Sequence, residues 1–352
     1  MDSNVVYAES QGGNAVRIDL NHFKSYPIRP MRQKGMEELR WNWNTPLVTG
    51  AANPGNLYIG AKHLFRSRDQ GRNWTVLSPD LSTDDDSKQR QDQSGGLSAD
   101  NTSAENHCTL YTIAESPFDE REIWTGTDDG RVQRTLDGGD SWVDLSGSLI
   151  RAGAPPGTWV SWIELSRHNR QTAWVCLDNH MRGDHSSWLF RTADGGLNWT
   201  RVQSREFTGF AHRIKEDLVN PALLFLGTEM GLFASVDAGA NWFRLKNKIP
   251  EYALVRDVQI AEKSGSLVVG THGRGIYVID DIGPMRRMTA DIASKEVVIF
   301  PVDEMELGSG RFGGMASTGN VWHAPNPAQL PSFDYYLRER VMGAAVQADI
   351  VD

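Results

Sequence analysis

The sequence predicts an all-β fold assembled from a repeated unit of four short antiparallel strands, and three observations predict it. The 352 residues include 34 Gly and 12 Trp, an excess of both that points to many tight turns and a recurring aromatic. One eight-residue motif occurs four times: Ser67-Arg-Asp69-Gln-Gly71-Arg-Asn-Trp74, Thr135-Leu-Asp137-Gly-Gly139-Asp-Ser-Trp142, Thr192-Ala-Asp194-Gly-Gly196-Leu-Asn-Trp199 and Ser235-Val-Asp237-Ala-Gly239-Ala-Asn-Trp242. Each copy follows a short apolar, strand-like stretch. The motif tryptophans stand 68, 57 and 43 residues apart, and the shortest interval fits a four-stranded unit of about 40–45 residues.

The residues of the motif explain a hairpin turn. An Asp carboxylate accepts hydrogen bonds from backbone N–H groups a few residues on. Gly supplies a positive φ, and Trp folds its face back over the hairpin. The motif resembles the Asp-box, or BNR, repeat of β-propellers such as sialidases, xyloglucanases and the sortilin (VPS10) ectodomain. In those proteins the boxes join the outer two strands of a blade, away from the binding face. The resemblance therefore gives Asp69, Asp137, Asp194 and Asp237, with Gly71, Gly139, Gly196 and Gly239 and the four tryptophans, a structural role.

In chain order, residues 4–30 hold a partial blade with no room for its innermost strand. Residues 43–78, 108–146, 157–204 and 209–247 each hold four strands. A fifth full unit is expected at 253–302. It lacks the box; Pro284–Ser294 reads as helical and Glu296-Val-Val-Ile-Phe-Pro as its last strand. The expected propeller thus covers 1–302 with about five full blades and one partial one. A linker follows at 303–330, and 331–352 reads as the truncated start of a β-sandwich.

Longer stretches, 94–109, 124–133, 157–164 and 270–282, resemble large bacterial proteins with a sortilin/VPS10-like propeller, labelled as BNR-repeat or glycosyl hydrolase proteins. This resemblance implies a piece of a longer, exported polypeptide (periplasmic, cell-surface or secreted), whose remainder would be a partner. It implies a fold and leaves activity open, because such folds host unrelated functions.

Composition narrows the classes. The net charge is −9 and the pI about 5.5, which argues against a nucleic-acid surface. No apolar run approaches the roughly 18 residues of a membrane helix, so insertion is not expected. The N-terminus carries no signal-peptide pattern. Cys108 and Cys176 form no metal-ligand spacing and read as small buried side chains. No cofactor and no metal are implied.

Strand alternation locates a candidate site. If boxes join the third and fourth strands on one face, the second-to-third-strand turns and the interblade connections share the other. That face collects His63, His107, Asp128, Arg131, Asp178, His180, Arg182, Asp184, His185, Glu229, His272 and Arg274, and functional residues concentrate on such loops. Asp129-Gly130 also reads as a plain hairpin turn, His272-Gly-Arg274-Gly as a glycine turn, and Asp84-Asp-Asp as a solvated charge run. Trp159, Trp162 and Trp188 lie near the face as stacking candidates. The leading reading is a non-catalytic propeller that takes a protein, peptide or glycan. The alternative is a glycoside hydrolase, sialidase- or xyloglucanase-like, using a pair among Asp128, Asp178, Asp184 and Glu229. A third is a metal-dependent hydrolase using His180, His185 and Asp184.

Overall fold

The computed structural model describes residues 4–90, 106–246, 249–301 and 334–339. Six antiparallel sheets follow one another as the blades of a β-propeller. Blade 1 has three strands, β1 (Val5–Ser10), β2 (Asn14–Asp19) and β3 (Lys24–Pro27). Blade 2 has β4 (Leu47–Thr49), β5 (Leu57–Gly60), β6 (Leu64–Ser67) and β7 (Thr75–Val76). Blade 3 has β8 (Leu110–Ser116), β9 (Asp119–Thr127), β10 (Val132–Thr135) and β11 (Val143–Asp144). Blade 4 has β12 (Trp159–Leu165), β13 (Ala173–Asp178), β14 (Trp188–Thr192) and β15 (Thr200–Val202). Blade 5 has β16 (Ala211–Glu216), β17 (Leu224–Thr228), β18 (Gly231–Ser235) and β19 (Phe243–Arg244). Blade 6 has three, β20 (Val255–Ala261), β21 (Ser266–Thr271) and β22 (Ile276–Ile279). In the four-stranded blades the strands run A to D from the axis outward.

The four motif turns share one hydrogen-bond pattern. The Ser or Thr hydroxyl donates to Asp Oδ1 at 2.7–2.8 Å and accepts from the Gly N–H at 2.8–3.0 Å. The same Oδ1 accepts from the backbone N–H four residues after the Asp at 2.8–3.0 Å. These bonds hold the Asp137 carboxyl below its ordinary range, through Ser141 first and Thr135 next.

Each turn then docks on the blade before it. Trp74 Nε1 donates to Ile28 O at 2.7 Å, Trp142 Nε1 to Leu77 O at 3.1 Å and Trp199 Nε1 to Ser148 Oγ at 3.1 Å. Trp242 Nε1 bonds within its own turn, to Gly239 O, and its ring is buried between blades 4 and 5. Hydrophobic clusters fill the interfaces between blades 1 and 2, 2 and 3, 3 and 4, 4 and 5, and 5 and 6. Among the described residues no such cluster joins blade 6 to blade 1. Each fully buried Leu, Ile or Phe contributes about 1.5–3 kcal/mol, so these seams hold most of the fold's stabilisation.

One expectation is corrected. Residues 296–301 do not supply a fourth strand to the last blade. β23 (Val297–Ile299) pairs instead with β24 (Tyr335–Leu337) as a separate two-stranded sheet. The reason lies just after β22, where two short helices, α1 (Gly283–Arg287) and α2 (Ala290–Ser294), take the place of a motif turn. Arg286 on α1 is anchored to the fully buried Asp217 of blade 5, with Nη2 2.7 Å from Oδ1. An ion pair thus clamps the one interface that has no motif tryptophan, and the chain leaves the blade there. Among the described residues blade 6 is therefore three-stranded, and the propeller has six blades, four of them with four strands. The β-sandwich expected at 331–352 is not shown: 334–339 pair with β23, while 340–352 and the linker, 303–330, lie outside the described residues. Both cysteines are buried and unpaired. Among the described residues no helix is long and apolar enough to cross a membrane.

The motif glycines are interblade contacts as well as turn residues. At Gly196 φ is +89°, and a Cβ would lie 2.7 Å from Leu145 Cδ1 and 2.9 Å from Trp124 Cη2 of blade 3; Gly153, at φ +96°, has open space. Gly153→Ala should cost about 1 kcal/mol of backbone strain. Gly196→Ala should cost about 2–4 kcal/mol, because overpacking adds to the strain. Urea denaturation of the two variants measures this, and equal costs would show that the turn does not bear on the neighbouring blade.

Candidate functional site

The face opposite the motif turns is built from the B–C turns and the D–A connections. Thr127 Oγ1 caps the first well-defined turn by accepting from Arg131 N at 2.8 Å. Within it Asp128 is wholly buried. Its Oδ1 accepts from Thr109 N at 2.9 Å, and Oδ2 from Asn42 Nδ2 at 3.0 Å and Thr109 Oγ1 at 2.5 Å. Burial pushes this carboxyl up to about 7. Asp129 accepts from Thr83 N at 2.7 Å and Thr83 Oγ1 at 2.6 Å. Both aspartates therefore tie the turn to its neighbouring connections. Arg131 pairs with Asp144 of its own blade. His107 sits 3.7 Å from Asp128, and its ring lies 6.5 Å from that of Trp159, which in turn lies 5.2 Å from Tyr111.

The segment from Asp178 to His185 forms the second group. A one-turn helix, His180–Arg182, ends at Gly183 with φ +76°. His180 Nδ1 is 2.5 Å from Asp178 Oδ1, and the ring stacks on Phe210 with centroids 4.6 Å apart. Asp178 Oδ2 lies 3.7 Å from His212 Nδ1. Burial pushes the Asp178 carboxyl up, but hydrogen bonds from His212 and His180 outweigh it and hold the group below its ordinary value. His212, itself buried, is held low by desolvation against the opposing pull of Asp178. His185 Nδ1 is 2.8 Å from Glu229 Oε2, and its ring lies 6.5 Å from that of His180. Asp184 points elsewhere: its carboxylate accepts from Asn179 Nδ2 at 2.9 Å, Trp188 Nε1 at 2.8 Å and Ser186 N at 2.9 Å. Arg182 donates to the carbonyls of Pro156 and Gly157, both at 2.7 Å, and clips this loop to the preceding connection.

The structure thus brings Asp178, His180, His185 and Glu229 together around Phe210, and places His107 and Asp128 beside Trp159. Asp184, Arg131 and Arg182 are turned into local contacts. His63 bonds back to Ser78 O at 3.1 Å. His272 and Arg274 sit exposed in the Thr271–Gly275 turn. Trp162 lies under Arg213, whose guanidinium carbon is 3.4 Å from the ring centroid, and Trp188 is covered by Arg201 at 3.7 Å. Neither offers a bare stacking face. Among the described residues no group of three or more His, Cys, Asp or Glu is placed to hold a metal ion, so His180, His185 and Asp184 do not converge as a ligand set.

One set of residues escaped the sequence reading. Strand A of blades 3, 4, 5 and 6 is bulged at the same point, between Leu110 and Thr112, Val160 and Trp162, Ala211 and Arg213, and Val255 and Asp257. The extra residues are Tyr111, Ser161, His212 and Arg256, and a bulge re-aims its side chain. Arg256 Nη1 lies 3.4 Å from the His212 ring, and the charges of Arg256 and Asp178 both act on the Tyr111 phenol, whose pKa burial raises. These groups meet where the innermost strands reach the loop face. Among the described residues no carboxylate lies within 4.0 Å of Arg256. The signal that could have found the set is an apolar-x-x-apolar spacing shared by the four strands: Leu110 to Ile113, Val160 to Ile163, Ala211 to Ile214 and Val255 to Val258.

No family model matches the chain, and no curated protein matches its sequence. Solved structures do. The GH74 xyloglucanase from Xanthomonas campestris matches over 79% of this chain and 42% of its own, with TM-score 0.53 and 15% identity. YCF48 bound to D1 peptide matches over 82% of this chain and 80% of its own, with TM-score 0.44 and 13% identity. The extracellular domain of the hybrid two-component system BT4673 from B. thetaiotaomicron matches over 79% and 31%, with TM-score 0.46 and 13% identity. This chain spans 28 to 42% of the length of the three GH74 enzymes it matches. At these identities the likeness is one of fold.

Asp128 makes stability depend on pH. Its carboxyl lies near 3.8 when unfolded and at about 7 in the fold. Between those values the folded state binds the extra proton, so stability present below pH ~4 is lost as pH rises toward ~7. Asp128→Asn should flatten that slope in unfolding measurements across the same window. An unchanged slope would show that Asp128 titrates normally.

Proposed function

We propose that the chain is a non-catalytic binding propeller that takes a protein, peptide or glycan on its loop face. The observation that carries this reading is the state of the loop-face carboxylates. Asp128 is inaccessible, Asp184 is held by three donors, Asp178 is shared between His180 and His212, and Glu229 is paired with His185. Glycoside hydrolysis needs one carboxylic acid that delivers its proton to the substrate and a second carboxylate across the bond. Here the acid with the raised pKa is sealed beneath the surface. What the face does offer is Arg256, with no carboxylate within 4.0 Å among the described residues, a stacked His180–Phe210 pair, and exposed His272 and Arg274.

The finer parts of the reading rest on resemblance: motif turns of the Asp-box type, a sortilin/VPS10-like parent, and export. The domain limits, 1–302 for the propeller and 303–330 for a linker, belong with them. Glycoside hydrolase is the second reading, favoured by the closeness of the Asp178–His180 and His185–Glu229 pairs and by a fold shared with a xyloglucanase.

A glycan and peptide array probed with the purified chain tests the first reading. The chain should retain at least one ligand class, and Arg256→Gln should weaken that binding by about tenfold, the loss of one charge-assisted contact, at unchanged Tm. Xyloglucan and sialosides should not be cleaved. Cleavage that falls with Asp178→Asn or Glu229→Gln would establish the enzyme and overturn the binding reading.

A further inference from the structure

In each four-stranded blade the residue just before the motif pairs with a buried ring of strand B. Arg66 lies opposite Tyr58 in blade 2, Arg134 opposite Trp124 in blade 3, Arg191 opposite Trp174 in blade 4 and Ala234 opposite Phe225 in blade 5. A buried ring that carries a polar atom needs an acceptor for it. Tyr58 OH donates to Glu115 Oε2 at 2.6 Å, and Trp124 Nε1 to Glu122 Oε1 at 3.2 Å. Trp174 is 2% exposed, and its Nε1 has no partner among the described residues. The cause is a residue exchange. Glu122 stands two residues before Trp124, and Thr172 stands two before Trp174.

The arginine is left over for a second reason. Arg134 and Arg191 sit alike on their rings, each with its guanidinium carbon 5.4 Å from the centroid. Arg134 Nη1 then reaches the next blade and donates to Gly195 O at 2.6 Å. A Cβ at Gly195 would lie 2.6 Å from that nitrogen. The matching residue of the blade 5 turn is Ala238, whose N–H donates to Ala222 O as that of Gly195 does to Gln171 O, both at 2.9 Å. Ala238 carries the Cβ that Gly195 lacks, and Arg191 makes no bond to its carbonyl. Among the described residues the Arg191 guanidinium has no carboxylate partner, and its Nε is orphaned. Trp174, Arg191 and Ala238 instead line a groove of about 560 Å³ between blades 4 and 5.

We propose that this groove binds a carboxylate, held by Arg191 with Trp174 Nε1 as the second donor. Blades 2 and 3 indicate the ligand type, since each gives the equivalent ring a carboxylate of the chain. An arginine fork matches a carboxylate through two parallel bonds. One arginine, with Asp194 on the same wall, suits a singly charged group better than a phosphate dianion. Asp194 itself stays engaged by Thr192 Oγ1, Asn198 N and Asn198 Nδ2. Both orphaned nitrogens are shut from solvent, so the arginine side chain swings aside as the ligand enters. The groove lies among the motif turns, away from the loop face, and the inference is independent of the loop-face reading.

The test titrates the full chain, isotope-labelled for NMR, with acetate, glucuronate and N-acetylglutamate amide at constant ionic strength. Chloride and glucose serve as controls. The Trp174 indole N–H resonance, assigned through Trp174→Phe, should shift saturably with each carboxylate at millimolar concentration and not with the controls. Arg191→Gln should weaken binding by about tenfold or more. Thr172→Glu restores the internal carboxylate of blade 3 and should abolish binding. Ala238→Gly frees the turn carbonyl for Arg191 and should weaken it. Tighter binding of glucuronate would support the proposal with an acidic sugar as the source, and tighter binding of the glutamate amide would support it with an acidic peptide side chain. No saturable shift at about 100 mM carboxylate, an equal response to glucose or chloride, or unchanged binding in Thr172→Glu would overturn it. Absence of a shift together with a Tm lowered by Arg191→Gln would overturn it in favour of a carboxylate of the polypeptide itself.

Discussion

A carboxylate that binds three donors at once organises this structure. In each motif turn the Asp side chain gathers a hydroxyl and a backbone N–H onto Oδ1 and takes a further side-chain donor on Oδ2. That closes the turn between the outer two strands. It also sets the following tryptophan at the seam with the preceding blade, and the motif glycine leaves room for the contact. Turn and seam are thus one device. Where the device is missing, after β22, an Arg286–Asp217 ion pair and a short helix replace it, and the blade loses its fourth strand.

A fold held together this way is close to one-dimensional, each blade leaning on its neighbours. The hydrophobic clusters reflect this, since each of the five spans two consecutive blades. Interior blades are packed on both faces. Among the described residues blades 1 and 6 are packed on one, and apolar side chains there are exposed, Val6 at 42% and Ile276 at 75%. The same arithmetic of neighbours concentrates the polar groups of the inner strands at the axis, which is how His212 and Arg256 come within 3.4 Å of one another.

What could be read from the sequence was what local spacing encodes. Every defining bond of the motif turn spans four residues or fewer, so four copies of one spacing suffice to place four hairpins, and alternation then assigns the loops to faces. Contacts made by winding the chain were not. Asp128 is buried by Asn42, 86 residues away, and His185 meets Glu229 across 44, so neither carboxylate's surroundings show in its own segment. The bulges at Tyr111, Ser161, His212 and Arg256 add one residue to an otherwise ordinary strand pattern, visible only when four strands are aligned. The pairing of β23 with β24 depends on residues far apart, and an apolar hexapeptide after a helix carries no mark of which strand it will join.

The central claim is that stability resides in turn-locked seams between consecutive blades, with none among the described residues between the sixth and the first. Native-state hydrogen exchange, resolved blade by blade, tests it most directly. Opening free energies should be greatest in blades 3 and 4 and should fall stepwise toward blades 1 and 6. Uniform protection across all six blades, or strong protection at β1 and β22 in the isolated chain, would contradict the account and indicate a closed ring.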